Sequence, residues 1–303
     1  MKGLSRRAFL AGGAMLAMGN GVGARATGFP TQGGFTLPRV ATLDWGLLET
    51  LLAMGVIPVA APELVLYKQV VVEPVVPRQV VDIGLRGTPN FEALLRSRPS
   101  LIFNSNYYVA ADPSLRLIAP VETISIYKSG QMPFIMAQKA ADLLAQAVGQ
   151  PQAGPELIVR TDAELAHARS ALAGHGARPV LIINLGDARH FRVFGPDSMF
   201  GEVLERIGLK NAWREGTSYS ASAPVGLEML ARFAEADIII VPPVPPDAGR
   251  VLPQSALWQA LPNVREGRVF LIGAMNPFGG LPTAMRCARL VSAALRGGPG
   301  GGL

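Results

Sequence analysis

Between residues 39 and 295, short runs of β-branched and other apolar residues alternate with longer amphipathic stretches, and few folds accommodate that rhythm. Strand-like runs fall at 39–43, 56–60, 80–83, 101–103 and 121–126, with helix-like segments at 45–54, 90–95 and 132–148. Most of these strands are short and apolar on both sides, as strands buried within an α/β sheet are. The sequence Gly149-Gln150-Pro151-Gln152-Ala153-Gly154-Pro155 then breaks the alternation. A more polar helical stretch follows over 156–173, closed by Gly174, Gly176 and Pro179. Beyond it the rhythm restarts, with strands at 180–184, 191–194, 238–241 and 269–272 and helices at 200–207, 227–234 and 283–295. The fold expected is α/β: two α/β lobes joined by a single long helix. The first lobe spans 27–150, the connecting helix 151–177 and the second lobe 178–303. Because a helix resists bending, a nearly rigid pair is expected, with the ligand cleft between the lobes where strand ends and loops converge.

Residues 1–26 read as an export address. Lys2, Arg6 and Arg7 precede a short, mild apolar stretch over 8–18, and Ala24-Arg25-Ala26 is a small-x-small cleavage site. Ser5-Arg6-Arg7-Ala8-Phe9-Leu10 resembles a twin-arginine signal, which exports folded proteins, so the periplasm is the expected location.

Composition narrows the function. With 49% hydrophobic and 17% charged residues, the chain is not a disordered one. No apolar run reaches the roughly 18 residues that cross a bilayer. Cys287 is the only cysteine, which excludes an intramolecular disulfide and a cysteine-cluster metal site. The net charge of +6 is concentrated at the start: removing Lys2, Arg6, Arg7 and Arg25 leaves 24 of the 28 cations against 22 acids. No basic run interleaved with aromatics remains, so a nucleic-acid partner is not expected.

Catalytic and metal motifs are lacking. The sequence contains no Gly-x-Ser-x-Gly elbow, His-Glu-x-x-His pair or phosphate loop. His167, His175 and His190 are not at metal-ligand spacing; the first two read as solvated surface residues. No catalytic residue, protein-bound metal or cofactor is therefore assigned, and the chain is not read as an enzyme.

Several stretches taken together resemble one family. In the first half they are Thr42-Leu43-Asp44-Trp45, the run from Glu49 to Pro58, Gly84-Leu85-Arg86-Gly87-Thr88-Pro89-Asn90 and Leu117-Ile118-Ala119-Pro120. In the second half they include Asp187-Ala188-Arg189-His190, Val193-Phe194-Gly195-Pro196-Asp197-Ser198, Asn211-Ala212-Trp213, Leu257-Trp258-Gln259-Ala260-Leu261-Pro262 and Val264-Arg265-Glu266-Gly267-Arg268. Their order and spacing resemble the FhuD-type periplasmic ferric-hydroxamate siderophore binding proteins of ABC importers.

That resemblance implies a shallow cleft between two bridged lobes, in which Arg86 and Tyr108 contact hydroxamate oxygens. A guanidinium fork bonds two partly negative oxygens without losing its proton, and a phenol adds one directional donor. Where the family can place tryptophans around the ligand, this chain has Val70, Ser220 and Asn276. Tyr219 and Phe278, beside two of those positions, are candidates for the aromatic wall, with Tyr67 a further one in the first lobe; Ser218 and Ser222 match polar cleft positions. Trp45, Trp213 and Trp258 read as core. The resemblance further implies delivery of a ferric siderophore by a monomer to an inner-membrane ABC permease and its ATPase. Docking falls to Glu228 on the second lobe and Asp112 on the first. Two other readings stay open: a protein of the same architecture for another iron chelate, haem or a corrinoid, and an exported hydrolase.

Overall fold

A computed structural model describes residues 37–176, 178–217, 225–298 and 300–303. The export-signal reading and the positions Ser218, Tyr219, Ser220 and Ser222 lie outside these described residues.

The first half contains β1 (Val40–Thr42), α1 (Trp45–Ala53), β2 (Ala60–Ala61), α2 (Leu64–Val70), β3 (Val81–Asp82), α3 (Phe91–Arg96), β4 (Leu101–Asn104), α4 (Asp112–Leu115) and β5 (Val121–Thr123). Its strands form a five-stranded sheet in the order β3-β2-β1-β4-β5. Every neighbour pair is parallel, with Ala41 opposite Ala60 on one side and Ile102 on the other. Two helices follow, α5 (Pro133–Ala147) and α6 (Ala153–Ala171). The second half contains β6 (Val180–Leu185), β7 (His190–Val193), α7 (Met199–Arg206), β8 (Val225–Gly226), β9 (Asp237–Ile240), α8 (Pro246–Val251), α9 (Ala256–Ala260), α10 (Pro262–Arg265), β10 (Val269–Leu271) and α11 (Leu281–Arg296). Its sheet has the order β10-β9-β6-β7-β8, parallel through β10, β9 and β6 and antiparallel through β7 and β8.

The polar stretch forms α6, a 19-residue helix that begins inside the Gly/Pro break, at Ala153 rather than at 156, and whose buried stripe is Leu157, Thr161, Leu165 and Ala168. Its spacing of four, four and three residues keeps one face inward. At its start Gly154 permits a close crossing with α5, since a Cβ there would meet Asp142 Oδ1 at 2.8 Å and the Ala141 carbonyl at 2.9 Å. One continuous apolar cluster takes in Leu47 and Leu51 of α1, Leu144 of α5, Leu165 of α6, Leu204 of α7 and Val291 of α11. Helices from both halves thus share one apolar core.

Several expectations need correction. Pairing at the 56–60 run begins only after Pro58, with the Val59 N–H donating to the Val40 carbonyl at 2.7 Å; proline has no N–H to give a ladder. Residues 227–234 form a 3₁₀ helix, Leu227–Phe233, rather than an α-helix. The sequence reading missed α2, because Glu63 at its start is left-handed and supplies no side-chain cap. Its account of His175 as a solvated residue fails as well. The ring Nε2 lies 3.1 Å from Asp237 Oδ2, and the side chain is only 12% exposed.

Candidate ligand-binding cleft

Arg86 stands on the turn that leaves β3. Gly84 makes that turn with φ +74, where glycine avoids the penalty of a Cβ. Asp82 fastens the turn from below, accepting from the Gly84 N–H at 2.9 Å through Oδ1 and from the Leu64 N–H at 2.9 Å through Oδ2. Glu63 fastens it from the side. The Glu63 N–H donates to the Gly84 carbonyl at 2.9 Å. Its Oε1 accepts the Arg86 backbone N–H at 3.1 Å, and Oε2 accepts Arg86 Nε–H at 2.8 Å. The guanidinium carbon lies 3.7 Å from the centroid of the Trp45 ring, within range for a cation–π contact. Trp45 is itself fixed: its Nε1–H donates to the Pro62 carbonyl at 3.0 Å, and Tyr67 meets its ring edge-on at 5.7 Å. Nε is committed to Glu63, and the guanidinium also lies within hydrogen-bonding reach of the Tyr108 side chain.

Tyr108 stands beside Arg86 at the start of a short 3₁₀ turn, Val109–Ala111. Burial pushes its phenol up, and the neighbouring Arg86 guanidinium pulls it partly back. Tyr107 continues the aromatic surface, with ring centroids 6.3 Å from Tyr108 and 6.1 Å from Phe278. Phe278 belongs to the loop between β10 and α11, so the aromatic run crosses from one half of the chain to the other. Asn276, on the same loop, is buried and accepts the Phe278 N–H at 3.1 Å. Together these groups line a cavity of about 510 Å³ between the two sheets.

The loop that carries Asn276 and Phe278 is anchored to the first half. Glu49 of α1, fully buried, accepts from the Gly280 N–H at 2.6 Å and the Thr283 N–H at 3.1 Å, and from the Thr283 hydroxyl at 3.0 Å. Its carboxyl therefore caps the first turn of α11. Burial pushes Glu49 up to about 8, while Thr283 and Gly280 pull it down. Alongside, the Tyr127 hydroxyl donates to the Gly279 carbonyl at 2.8 Å. Asp44 forms the floor near Trp45: it caps α1 through the N–H groups of Gly46 at 2.7 Å and Leu47 at 3.1 Å. Burial raises its carboxyl, against hydrogen bonds from Ser105, Leu47 and Gly46 and the charge of Arg86.

Of the residues singled out in the sequence, Arg86, Tyr108, Asn276 and Phe278 converge on this cavity. Tyr67 does not: it is wholly buried beneath Trp45, its hydroxyl donating to the Pro74 carbonyl at 3.2 Å. Trp45 is buried as expected, yet its ring face also supports Arg86. Sequence reasoning missed Glu63, Asp44 and Tyr107. Tyr107 had a visible signal, adjacency to Tyr108; Glu63 had none, lying 23 positions from its partner. Of the two docking candidates, Glu228 is exposed. Asp112 is engaged internally, accepting from Asn104 Nδ2 at 2.6 Å.

Residues 40–275 of the chain match the periplasmic binding protein family. The chain belongs to that family. The curated Iron(3+)-hydroxamate-binding protein FhuD of Escherichia coli K12 is 32% identical over 259 residues, covering 86% of this chain and 87% of that protein. Among solved structures, the Fe3+–Desferal-bound siderophore binding protein FhuD from Vibrio cholerae superposes with a TM-score of 0.81 at 26% identity, covering 86% of this chain and 98% of that one. The triscatecholate siderophore binding protein FeuA from Bacillus subtilis shares the fold, with a TM-score of 0.66 at 16% identity, covering 85% of this chain and 92% of that one. In this periplasmic binding protein Arg86 and Tyr108 line the cavity between the two sheets.

Proposed function

We propose that this periplasmic binding protein captures a ferric hydroxamate siderophore and hands it to an inner-membrane ABC permease coupled to an ATPase, without performing catalysis. The observation that carries this reading is the presentation of Arg86. Its guanidinium is held over the Trp45 ring and fastened at Nε by Glu63, beside the Tyr108 phenol and inside a cavity of about 510 Å³. A ferric hydroxamate already supplies iron with its oxygen ligands. What it asks of a protein is outer-shell donors for those oxygens and apolar walls for the ligand skeleton. A fixed fork and a phenol supply the first; Tyr107 and Phe278 supply the second. The 32% identical relative named for iron(3+)-hydroxamate binding and the Desferal-bound structural relative support the same ligand class.

The protein acts in the periplasm as a monomer, reached through the twin-arginine signal at residues 1–26. Tyr219, Ser218 and Ser222, which lie outside the described residues, are proposed as further ligand contacts on the strength of the family resemblance. Glu228 meets the permease, and the exposure of its side chain supports that role. Asp112 stands for the first lobe, where its bond to Asn104 makes it the weaker of the pair. The test is a fluorescence-quenching titration with the ferric Desferal complex, a ferric tricatecholate, haem and cobalamin. Saturable quenching by the trihydroxamate complex at the lowest concentration is expected. Preference for haem or cobalamin replaces the reading with another chelate class.

A further inference from the structure

We propose that Glu63 sets the charge class of ligand this cleft accepts: it fixes Arg86 in place and cancels its charge, so iron(III) complexes of zero or positive net charge are selected over anionic ones. The inference rests on the siderophore-capturing role proposed above and refines it.

The charge inventory is the first support. Among the described lining residues, Arg86 is the one cation, and Glu63 and Asp44 are both acids. Glu63 Oε2 lies 2.8 Å from Arg86 Nε, with the two side chains only 14% and 28% exposed. A pair that close to one another and that far from solvent gives the cavity the direction of Arg86's donors with little of its positive field. Three singly charged hydroxamates cancel iron(III), and a pendant ammonium makes the complex cationic. Three doubly charged catecholates leave it strongly anionic. Such an anion in this cavity faces two carboxyl groups and one cation already paired, which is discrimination by an unfavourable contact.

The backbone is the second support. Glu63 has φ 52 and ψ 45, the left-handed region that favours glycine. A glutamate kept there, with its N–H on Gly84 and both carboxylate oxygens on Arg86, is held by what its side chain does.

Three probes of one experiment separate charge from fit: the ferric Desferal complex, which carries a pendant ammonium, its neutral N-acetylated form, and a ferric tricatecholate. Each is titrated into wild type, Glu63→Gln and Glu63→Ala by fluorescence quenching. Glutamine loses the charge and keeps one carbonyl acceptor, for one of the two Arg86 N–H groups that Glu63 accepts through separate oxygens. In Glu63→Gln the preference for the neutral complex over the tricatecholate falls at least tenfold, and the preference for the cationic over the neutral complex falls. Glu63→Ala, which also releases Arg86, loses about tenfold in neutral-complex affinity. Unchanged preferences in Glu63→Gln overturn the proposal. Where no tricatecholate binding is detected, the cation-to-neutral ratio decides by the same criterion. Salt dependence in wild type tests it without a variant: tricatecholate binding that weakens as salt rises reveals an attractive field for anions and overturns the proposal. Failure of wild type to bind either trihydroxamate complex refutes the functional reading instead.

Discussion

Changing Glu49 to glutamine is expected to flatten the dependence of folding stability on pH while leaving the junction between α1 and α11 in place. The carboxyl is wholly buried, and the groups around it are donors: the N–H groups of Gly280 and Thr283 and the Thr283 hydroxyl. Burial pushes it from its ordinary 4.5 to about 8. The folded state therefore holds the Glu49 proton more tightly than the unfolded chain does. The resulting stabilisation is complete below about 4.5 and is lost as pH rises through about 8. At about 1.4 kcal/mol per tenfold change in proton affinity, the loss across that window is on the order of 5 kcal/mol. Glutamine retains an acceptor for Gly280 and Thr283 and does not titrate. Glu49→Ala instead strands three donors at about 1–3 kcal/mol each. It also loosens the loop that carries Asn276 and Phe278, so ligand affinity falls with stability. The assay is urea unfolding at pH 5, 7 and 9. Wild type is expected to lose several kcal/mol more than Glu49→Gln between the first and last of these. Parallel pH profiles for the two proteins would refute the reasoning.

Other outcomes follow from the same geometry. Trp45→Phe should remove a large part of the fluorescence quenched by ferric ligand, because Trp45 lies under Arg86 whereas Trp258 is buried in the core of the second sheet; quenching of full amplitude would place the ligand elsewhere. Glu228→Arg should impair siderophore-dependent growth while solution affinity stays unchanged, with the effect of this rim charge falling as salt rises; normal growth would remove Glu228 from docking. Uncomplexed ferric ion should be stripped by a competing chelator, since no cluster of three His, Cys, Asp or Glu side chains is placed to hold a metal among the described residues; tight stoichiometric retention would count against capture of a preformed complex.

What the sequence discloses depends on how local the physics is. The sheets were legible because β4, β6 and β9 are apolar on both faces, a pattern visible within four to six residues. The helix α6 was legible from its polar amphipathic run and the glycines after it, although it begins at Ala153, within the Gly/Pro break. Arg86 and Tyr108 were legible through the motifs around them. By contrast, Glu63 takes its meaning from a turn 23 positions away, and Glu49 from a helix end more than 230 positions away. Neither has a local signature, since a glutamate in an amphipathic stretch ordinarily faces water. Trp45 was read as core on sound grounds; one of its faces is core, and only the fold reveals that the other carries a guanidinium. His175 was misplaced for the same reason, its partner Asp237 being 62 positions distant.

The most direct test of siderophore capture is a titration of wild type, Arg86→Ala and Arg86→Lys with the ferric Desferal complex, each protein first verified as folded by circular dichroism. Arg86→Ala removes a charge-assisted contact worth about 1.5–3 kcal/mol, a ten- to hundredfold loss of affinity. Arg86→Lys should recover little, because an ammonium does not reproduce the fork. Affinity that stays within twofold of wild type in Arg86→Ala would contradict the account.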